Sequence, residues 1–261
     1  MRNLILARAV LVLLLFSAAV LRADQRAGQP SGLPDITDPV KAGRELAAEL
    51  RSSAPSEASE FSGALRVRIR GEWSDGIPAT LRLVPGATNW QTIYETRAAN
   101  GQPATRFVAI HALERPNDYW LAKAANPGEP LPASIRITDA QVVTPLAGTD
   151  FWLCDLGLDF FHWPGQRVLR YEMRRSRMCR VLESTPPPGA KLGYGRVLSW
   201  IDRESNGLLQ AEAYDLNNRL LKEFTVRSIK KVDGVWQVKD MDIRTLTNGS
   251  LTRLEFELTT K

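Results

Sequence analysis

The sequence predicts a mainly β protein of antiparallel strands with a few helices. Two runs, ALRVRIRG and ATLRLVPG, alternate apolar and polar residues, as strands with one buried and one solvated face do. Asn-Gly and related dipeptides, which accept the positive φ of tight hairpin turns, separate later strand-like runs at intervals of roughly 10–16 residues. A very apolar stretch with helical spacing lies between these two regions.

The N-terminus has the features of a secretory signal peptide, which we place at residues 1–23. Basic residues precede a run of about 12 apolar residues that ends at Leu21, and such a run is too short to span a bilayer. Small residues around Ala19 and Ala23 offer two cleavage points. We therefore expect an exported, periplasmic protein.

Charge and length narrow the classes of function. The formal charge of +5 falls to +2 once the three arginines within residues 1–23 are removed. A nearly neutral mature chain argues against nucleic-acid binding. The remaining length of roughly 235 residues is enough for one β domain with a substantial core, and we expect a monomer.

The domain is predicted to span residues 38–261, after a flexible leader over 24–37 that is polar and rich in Gly and Pro. It opens with a helix predicted over 39–52. Asp38 is a suitable N-cap, Pro39 occupies the first helical position, and apolar residues recur at helical spacing.

Strands follow from residue 61 onward. The turn at Asn100-Gly101 predicts a hairpin, and residues 193–260 predict a five-stranded meander. A Pro-rich section over 126–143 predicts a crossover loop with a short edge strand at 134–138. The turns of the meander are predicted at Asn206-Gly207, Asn217-Asn218, Asp233-Gly234 and Asn248-Gly249.

The stretch GTDFWLCDLGLDFFHWPG, residues 148–165, contains a cysteine, aspartates and a histidine. If Thr149 or Asp150 caps a helix that ends near His162, the Cys154 side chain lies roughly 12 Å along the axis from that histidine. This separation is beyond hydrogen-bonding reach. The only other histidine lies in a predicted strand, so we predict no catalytic Cys–His pair.

Other catalytic or metal-binding patterns are missing from the sequence. The cysteines and histidines have no zinc-ligand spacing, and there is no Gly-rich phosphate loop or nucleophile elbow. Asp155 and Asp159 meet on one face of the predicted helix, either as a carboxylate pair or, as we prefer, as a solvated polar stripe. We predict that the protein is not an enzyme and has no cofactor and no metal.

Cys154 and Cys179 are the two cysteines of the chain. In an oxidising compartment we expect a disulfide between them. The alternative is two buried thiols that pack as small apolar groups.

The predicted helix from residue 150 to 162 is apolar on most of its surface. On a helical wheel, Asp155, Asp159 and His162 share a narrow sector, and apolar side chains cover most of the rest. Two interpretations stay open. The helix either caps a closed core or covers a hydrophobic concavity formed by a curved sheet.

One segment resembles a known family. Gly148, Asp150, Phe151, Asp155 and Leu156 form a Gly-x-Asp-Phe-x-x-x-Asp-Leu pattern before the meander. With the later segments SWID, AEAYD and LLKEF, this order resembles the LolA-like family of outer-membrane lipoprotein-sorting proteins, most strongly over residues 148–247.

The resemblance implies an open, strongly curved antiparallel sheet, an incomplete β-barrel, with helices covering its concave face. It also implies a cavity for the acyl chains of lipids or lipoproteins. A closed core without a cavity is the alternative. The candidate cavity-lining residues are the inward apolar positions of two strands and of the helix: Leu65, Val67, Ile69, Leu81, Leu83, Phe151, Leu158 and Phe161.

The expected function is that of a non-catalytic periplasmic carrier that buries acyl chains. Its partners would be lipid or lipoprotein chains, with an inner-membrane transporter as donor and an outer-membrane acceptor. Two alternatives use the same cavity: a sensor that detects mislocalised lipoproteins and signals envelope stress, and an accessory module of a lipid exporter.

Overall fold

The computed structural model describes residues 35–190, 193–232 and 235–258. The predicted signal peptide, residues 24–34 of the predicted leader and the predicted Asp233-Gly234 turn lie outside these ranges. No helix within them is long and apolar enough to cross a membrane. The strands are β1 (Ser59–Ile69), β2 (Glu72–Trp73), β3 (Ile77–Pro85), β4 (Asn89–Thr96), β5 (Thr105–Ala112), β6 (Asp118–Lys123), β7 (Ile135–Ile137), β8 (Gly165–Arg174), β9 (Arg177–Thr185), β10 (Arg196–Asp202), β11 (Leu208–Tyr214), β12 (Leu220–Val232), β13 (Val235–Thr245) and β14 (Leu251–Phe256).

These strands form one antiparallel sheet that is not closed into a barrel. Its order is β7-β6-β5-β4-β3-β1-β14-β13-β12-β11-β10-β9-β8, and β2 pairs with β1 alone. The N-terminal and C-terminal halves join where Leu65 of β1 pairs with Leu254 of β14. The predicted curved, incomplete barrel with helices over one face is confirmed.

Most predicted turns and strands are also confirmed. The meander is β10 to β14, and Asn206 and Asn218 adopt positive φ at two of its turns. Asn100 does the same in the turn after β4. The short edge strand expected at 134–138 is β7.

Helix α1 (Pro39–Arg51) begins at the predicted residue. The Asp38 carboxylate accepts hydrogen bonds from the backbone N–H groups of Val40 and Lys41 at 3.1 and 2.9 Å. A Cβ on Gly43 would lie 2.3 Å from the Cα of Arg167, so only glycine allows this approach to β8. The helix buries Leu46, Ala47 and Leu50 in the core.

The sheet has a large hydrophobic cluster on its inner face and a small one on its outer face. Val181 and Leu182 are neighbours in β9, so their side chains point to opposite faces. Leu182 belongs to the large cluster, which also contains buried residues of α1. Val181 belongs to the small cluster with Cys179, Leu198, Trp200 and Leu209.

The two edge strands, β7 and β8, are consecutive in the chain. Residues 138–164, which we call the crossing segment, therefore run from one edge of the sheet to the other over its inner face. Its buried apolar residues, among them Phe151, Leu153 and Leu156, belong to the inner cluster.

The crossing segment does not contain the single helix expected from residue 150 to 162. Helix α2 (Leu153–Gly157) has only five residues, and Leu158 ends it with φ of 52°. A 3₁₀ helix over Asp159–His162 follows. This break rotates the second part of the segment relative to the first, so the helical wheel drawn for a continuous helix does not hold.

The expected disulfide is not formed: both cysteines are free and buried. Cys154 belongs to the inner cluster, whereas Cys179 belongs to the outer one. Because the sheet lies between the two thiols, the expectation of a disulfide is wrong. Burial raises the pKa of the Cys154 thiol well above its ordinary range and that of Cys179 to about 11.

We predict that neither thiol reacts with Ellman's reagent in the folded protein, because both are buried and protonated at neutral pH. After unfolding in denaturant without reductant, the same sample should release two equivalents of chromophore per chain, one for each cysteine. No release from the unfolded chain would show a disulfide instead.

Candidate functional site

The candidate site is the space between the crossing segment and the inner face of the sheet. The segment cannot join the sheet by strand pairing along its length, because it runs across the strands. Side chains attach it at two places: a first end around residues 150–155, near the β13–β14 turn, and a second end around residues 157–161, near α1.

Asp150 anchors the first end. Its carboxylate accepts hydrogen bonds from Thr245 Oγ1 at 2.6 Å and Thr252 Oγ1 at 2.7 Å, and from the hydroxyl of Ser250. Its backbone N–H donates to Thr252 Oγ1 at 2.8 Å. Asp150 is buried, so these hydroxyl groups replace the water that the carboxylate loses.

A buried ion pair lies beside this anchor. Lys222 Nζ is 3.0 Å from Asp155 Oδ2, and the two side chains are 3% and 14% exposed. Burial lowers the pKa of Lys222, and the carboxylate of Asp155 opposes that shift. Such a pair is stable only while both partners and their other hydrogen bonds are in place.

The remaining groups around this pair are satisfied. Asp155 accepts from the hydroxyl of Tyr194 at 2.7 Å and from the backbone N–H of Trp152 at 2.8 Å. Lys222 Nζ also donates to the Asp150 carbonyl at 2.7 Å and lies 3.6 Å from the centre of the Trp152 ring. The Trp152 and Tyr194 rings stack with centroids 5.0 Å apart. Asp150, Trp152, Asp155, Tyr194 and Lys222 thus form one network, which we call the latch.

The second end is held by hydrogen bonds to backbone carbonyls and to the Asp159 carboxylate. Asn117 Nδ2 donates to the Gly157 carbonyl at 2.8 Å, and the Tyr119 hydroxyl donates to Asp159 Oδ1 at 2.9 Å. A Cβ on Gly157 would lie 2.6 Å from the Tyr119 ring and hydroxyl, so the tyrosine can lie under the segment only because residue 157 is glycine. Arg51 of α1 donates to the Phe161 carbonyl at 2.6 Å.

Two histidines lie close together at this second end. His111 of β5 is buried, stacks on Trp90 at 3.6 Å, and its Nε2 is 2.5 Å from Thr92 Oγ1. Burial, together with the nearby His162, lowers the pKa of His111 to about 3. Burial and Arg51 lower the pKa of His162 to about 4. Both rings are therefore neutral at pH 7.

Two small cavities lie under the crossing segment. The larger, about 30 Å³, lies against β10 to β13, and the latch residues Asp155, Tyr194 and Lys222 form part of its wall. The smaller, about 10 Å³, lies against β1, β3, β4 and β14. Phe151 lines both. Each has room for about one water molecule, so an acyl chain would fit only where the crossing segment moves away.

The sequence-predicted lining residues divide into three groups. Phe151 lines both cavities, Leu158 the larger, and Leu65 and Leu81 the smaller. Leu83 and Phe161 are buried in the core but line neither cavity. Val67 is half-buried and lines neither, and Ile69 is 58% exposed beyond the end of the core.

The polar residues of the site were not identified as a group from the sequence. The expectation of a solvated polar stripe is wrong. The Asp155 carboxylate pairs with Lys222, and the Asp159 carboxylate accepts a hydrogen bond from the Tyr119 hydroxyl. A signal for Lys222 was available in LLKEFTV. Lys222 alternates with Phe224 and Val226, which places an ammonium on the apolar face, where it needs a buried anion.

Comparison with known proteins places the chain in a family and a fold. A family model described as that of an uncharacterized protein matches residues 105–260, more than half of the chain. The chain belongs to this family. No match was found among curated proteins.

Solved structures show the same fold. A DUF1329 family protein from Desulfovibrio piger is 22% identical with a TM-score of 0.68, and the match covers 85% of this chain and 92% of that one. A "putative outer membrane lipoprotein-sorting protein domain" from Vibrio parahaemolyticus is 21% identical with a TM-score of 0.68, covering 84% and 92%. A LolA superfamily protein from Nitrosomonas europaea is 18% identical with a TM-score of 0.53, covering 86% and 94%. The fold of this family member is therefore LolA-like, as the Gly148–Leu156 pattern indicated.

We predict that Asp155→Leu lowers the free energy of unfolding by about 3–5 kcal/mol, because it leaves the Lys222 ammonium buried without its anion. Adding Lys222→Met should recover part of this loss. Denaturant unfolding curves measure both effects, and hydrogen exchange at the Asp150 amide, which donates to Thr252 Oγ1, should report local release of the segment.

Arg219→Met is the matched control for the ion pair. Arg219 also pairs with an aspartate, Asp215, but its side chain is 76% exposed, so its loss should cost less than about 1 kcal/mol. Equal losses for Asp155→Leu and Arg219→Met would contradict a stabilising role for the latch.

We predict that stability falls as the pH is lowered from about 6.5 towards 4. The folded-state pKa values of His111 and His162, about 3 and about 4, lie below the ordinary value of 6.5, so the unfolded chain binds protons that the folded chain does not. His111 alone accounts for a loss on the order of 3 kcal/mol at pH 4. Urea unfolding at a series of pH values measures the slope, and His111→Gln should reduce it. If the free energy of unfolding depends on pH as strongly in His111→Gln as in wild type, the assignment of this dependence to His111 is wrong.

Proposed function

We propose that the protein is a non-catalytic carrier that binds the acyl chains of lipids or lipoproteins between its sheet and its crossing segment. The observation that carries this proposal is that the inner core is formed partly by the sheet and partly by the crossing segment. Apolar side chains of the crossing segment occupy the middle of the curved sheet, with cavities on both sides of Phe151. An acyl chain that replaces these side chains meets the same apolar walls.

The chemistry of these walls suits an acyl chain. The larger cavity is lined by Phe, Leu, Val, Ala and Ile side chains, and its polar groups are confined to the latch. Burial of a chain in such a site provides about 0.8 kcal/mol per methylene group and little discrimination between chains. The lipoprotein-sorting description of the Vibrio parahaemolyticus domain supports the same ligand class.

Binding requires an open form of the protein. The cavities are too small for a chain while the latch is closed, so the ligand has to compensate for the separation of the crossing segment from the sheet. Transfer then proceeds to whichever partner binds the chain more strongly. We propose a periplasmic location, with an inner-membrane transporter as donor and an outer-membrane acceptor.

Native mass spectrometry of protein purified without detergent tests this function. We expect co-purified lipid, or binding of an added fluorescent fatty acid. A protein that carries no lipid and binds no added acyl chain would refute the carrier proposal.

Phe151→Ala should strengthen acyl-chain binding. Removal of the ring joins the two cavities, and burial of about two further methylene groups corresponds to about tenfold tighter binding. The dissociation constant for the fluorescent fatty acid measures this effect.

Trp200→Ala is the matched control for Phe151→Ala. It also truncates a buried aromatic side chain, but on the outer face of the sheet, so it should lower stability without a change in binding. If the Phe151→Ala variant unfolds, Phe151→Leu provides a smaller change in the same direction. Equal affinities for wild type, both Phe151 variants and Trp200→Ala would contradict a site beside Phe151.

A further inference from the structure

Three turns at one end of the sheet each expose a large apolar side chain. They are the β1–β2 turn over residues 68–73, the β11–β12 turn over 215–219 and the β13–β14 turn over 244–249, which we call the hairpin tips. Ile69 is 58% exposed, Leu216 73% and Leu246 37%. Leu216 and Leu246 lie in turns, where polar residues are usual, and Ile69 is the last residue of β1. Exposed aliphatic side chains at all three neighbouring tips require an explanation.

The hairpin tips are neighbours in space. The register pairs Arg68 of β1 and Arg244 of β13 with the same residue of β14, Leu251. The backbone N–H of Leu246 donates to the Leu221 carbonyl at the start of β12 at 2.9 Å. With neighbouring strands about 4.8 Å apart, the tips form a row roughly 20 Å long from β1 to β11.

Each hairpin tip also carries an exposed arginine. Arg70 follows Ile69, Arg244 precedes Leu246 by two residues, and Arg219 follows Leu216 by three. With Arg68, the tips carry four arginines against two acidic residues, Glu72 and Asp215. The Asp215 carboxylate accepts from the backbone N–H groups of Asn217 and Arg219 and also pairs with the Arg219 guanidinium at 2.8 Å, so these two charges offset each other. The net positive charge of the tips therefore comes from Arg68, Arg70 and Arg244 against Glu72.

An indole ring forms part of the first hairpin tip. Trp73 is 39% exposed, and its ring centre lies 5.4 Å from the Arg68 guanidinium carbon and 4.9 Å from that of Arg253. Tryptophan and arginine are residue types that settle at the boundary between headgroups and acyl chains, the indole through its amphipathic ring and the guanidinium through phosphate contacts.

We propose that the hairpin tips dock the protein on the surface of an anionic phospholipid bilayer. The aliphatic side chains enter the boundary of the acyl region, and the arginines contact lipid phosphates. This surface lies beyond the site of the proposed function but close to it. Lys222 of the latch follows the β11–β12 tip by three residues, and Ile243, which lines the larger cavity, precedes Leu246 by three.

Vesicle co-sedimentation of the full chain tests this proposal. We expect binding to vesicles that contain phosphatidylglycerol, weaker binding to pure phosphatidylcholine, and a decrease in binding with added salt. The triple variant Ile69→Asp/Leu216→Asp/Leu246→Asp should bind the phosphatidylglycerol vesicles at least about tenfold more weakly. Its acyl-chain affinity in solution should stay unchanged, which separates failure of docking from failure of the carrier function.

Met173→Asp is the matched control for the triple variant. Met173 is 51% exposed in the β8–β9 hairpin at the opposite end of the sheet, and the variant should bind vesicles as wild type does. The variants are on exposed positions, and circular dichroism should show that each is folded. Absence of binding to either vesicle type, or equal binding by wild type and the triple variant, would overturn the proposal.

Discussion

The rest of the structure depends on one topological constraint: the two edges of the sheet, β7 and β8, follow each other in the chain. An open sheet of this curvature leaves an apolar inner face that has to be covered. Because the connection between the edges has to cross that face, residues 138–164 provide the cover. The core of the protein therefore forms between a sheet and its own connection, with α1 filling the remaining side along β8.

The same constraint explains why polar groups lie inside this protein. A segment that runs across strands cannot extend the ladder of backbone hydrogen bonds, so its own backbone and its position have to be secured by side chains. Asp150 uses three hydroxyl groups for this, and Asp155 uses Lys222 and Tyr194. A buried ion pair adds little net stability over an apolar contact, but its separation into a dry interior is strongly unfavourable. The closed arrangement is therefore well defined even where packing is loose beside the cavities.

Features determined by local chemistry were predictable from the sequence, and those determined by distant contacts were not. The Asp38 cap, the turns at Asn100, Asn206 and Asn218, and the alternation around Leu65 each depend on neighbouring residues alone. Next to the break at Leu158, Gly157 packs against Tyr119, which is far away in the chain, and spacing along the sequence does not reveal this contact. The faces of Cys154 and Cys179 likewise follow from the topology of the sheet, which composition and spacing do not define.

The two ends of the crossing segment are attached by different kinds of interaction. Near α1, neutral donors and Arg51 bind backbone carbonyls from Gly157 to Trp163, and Gln166 of the adjacent strand provides two of these bonds. Near the hairpin tips, the attachment consists of two carboxylates and an ammonium ion beside the larger cavity. Leu158, with its positive φ, follows Gly157, the first residue of the second set of contacts. An anionic membrane surface at the hairpin tips would thus lie next to the charged attachment, because Lys222 of the latch follows the β11–β12 tip by three residues. There the fixed charges of the latch would respond to the field of the membrane surface.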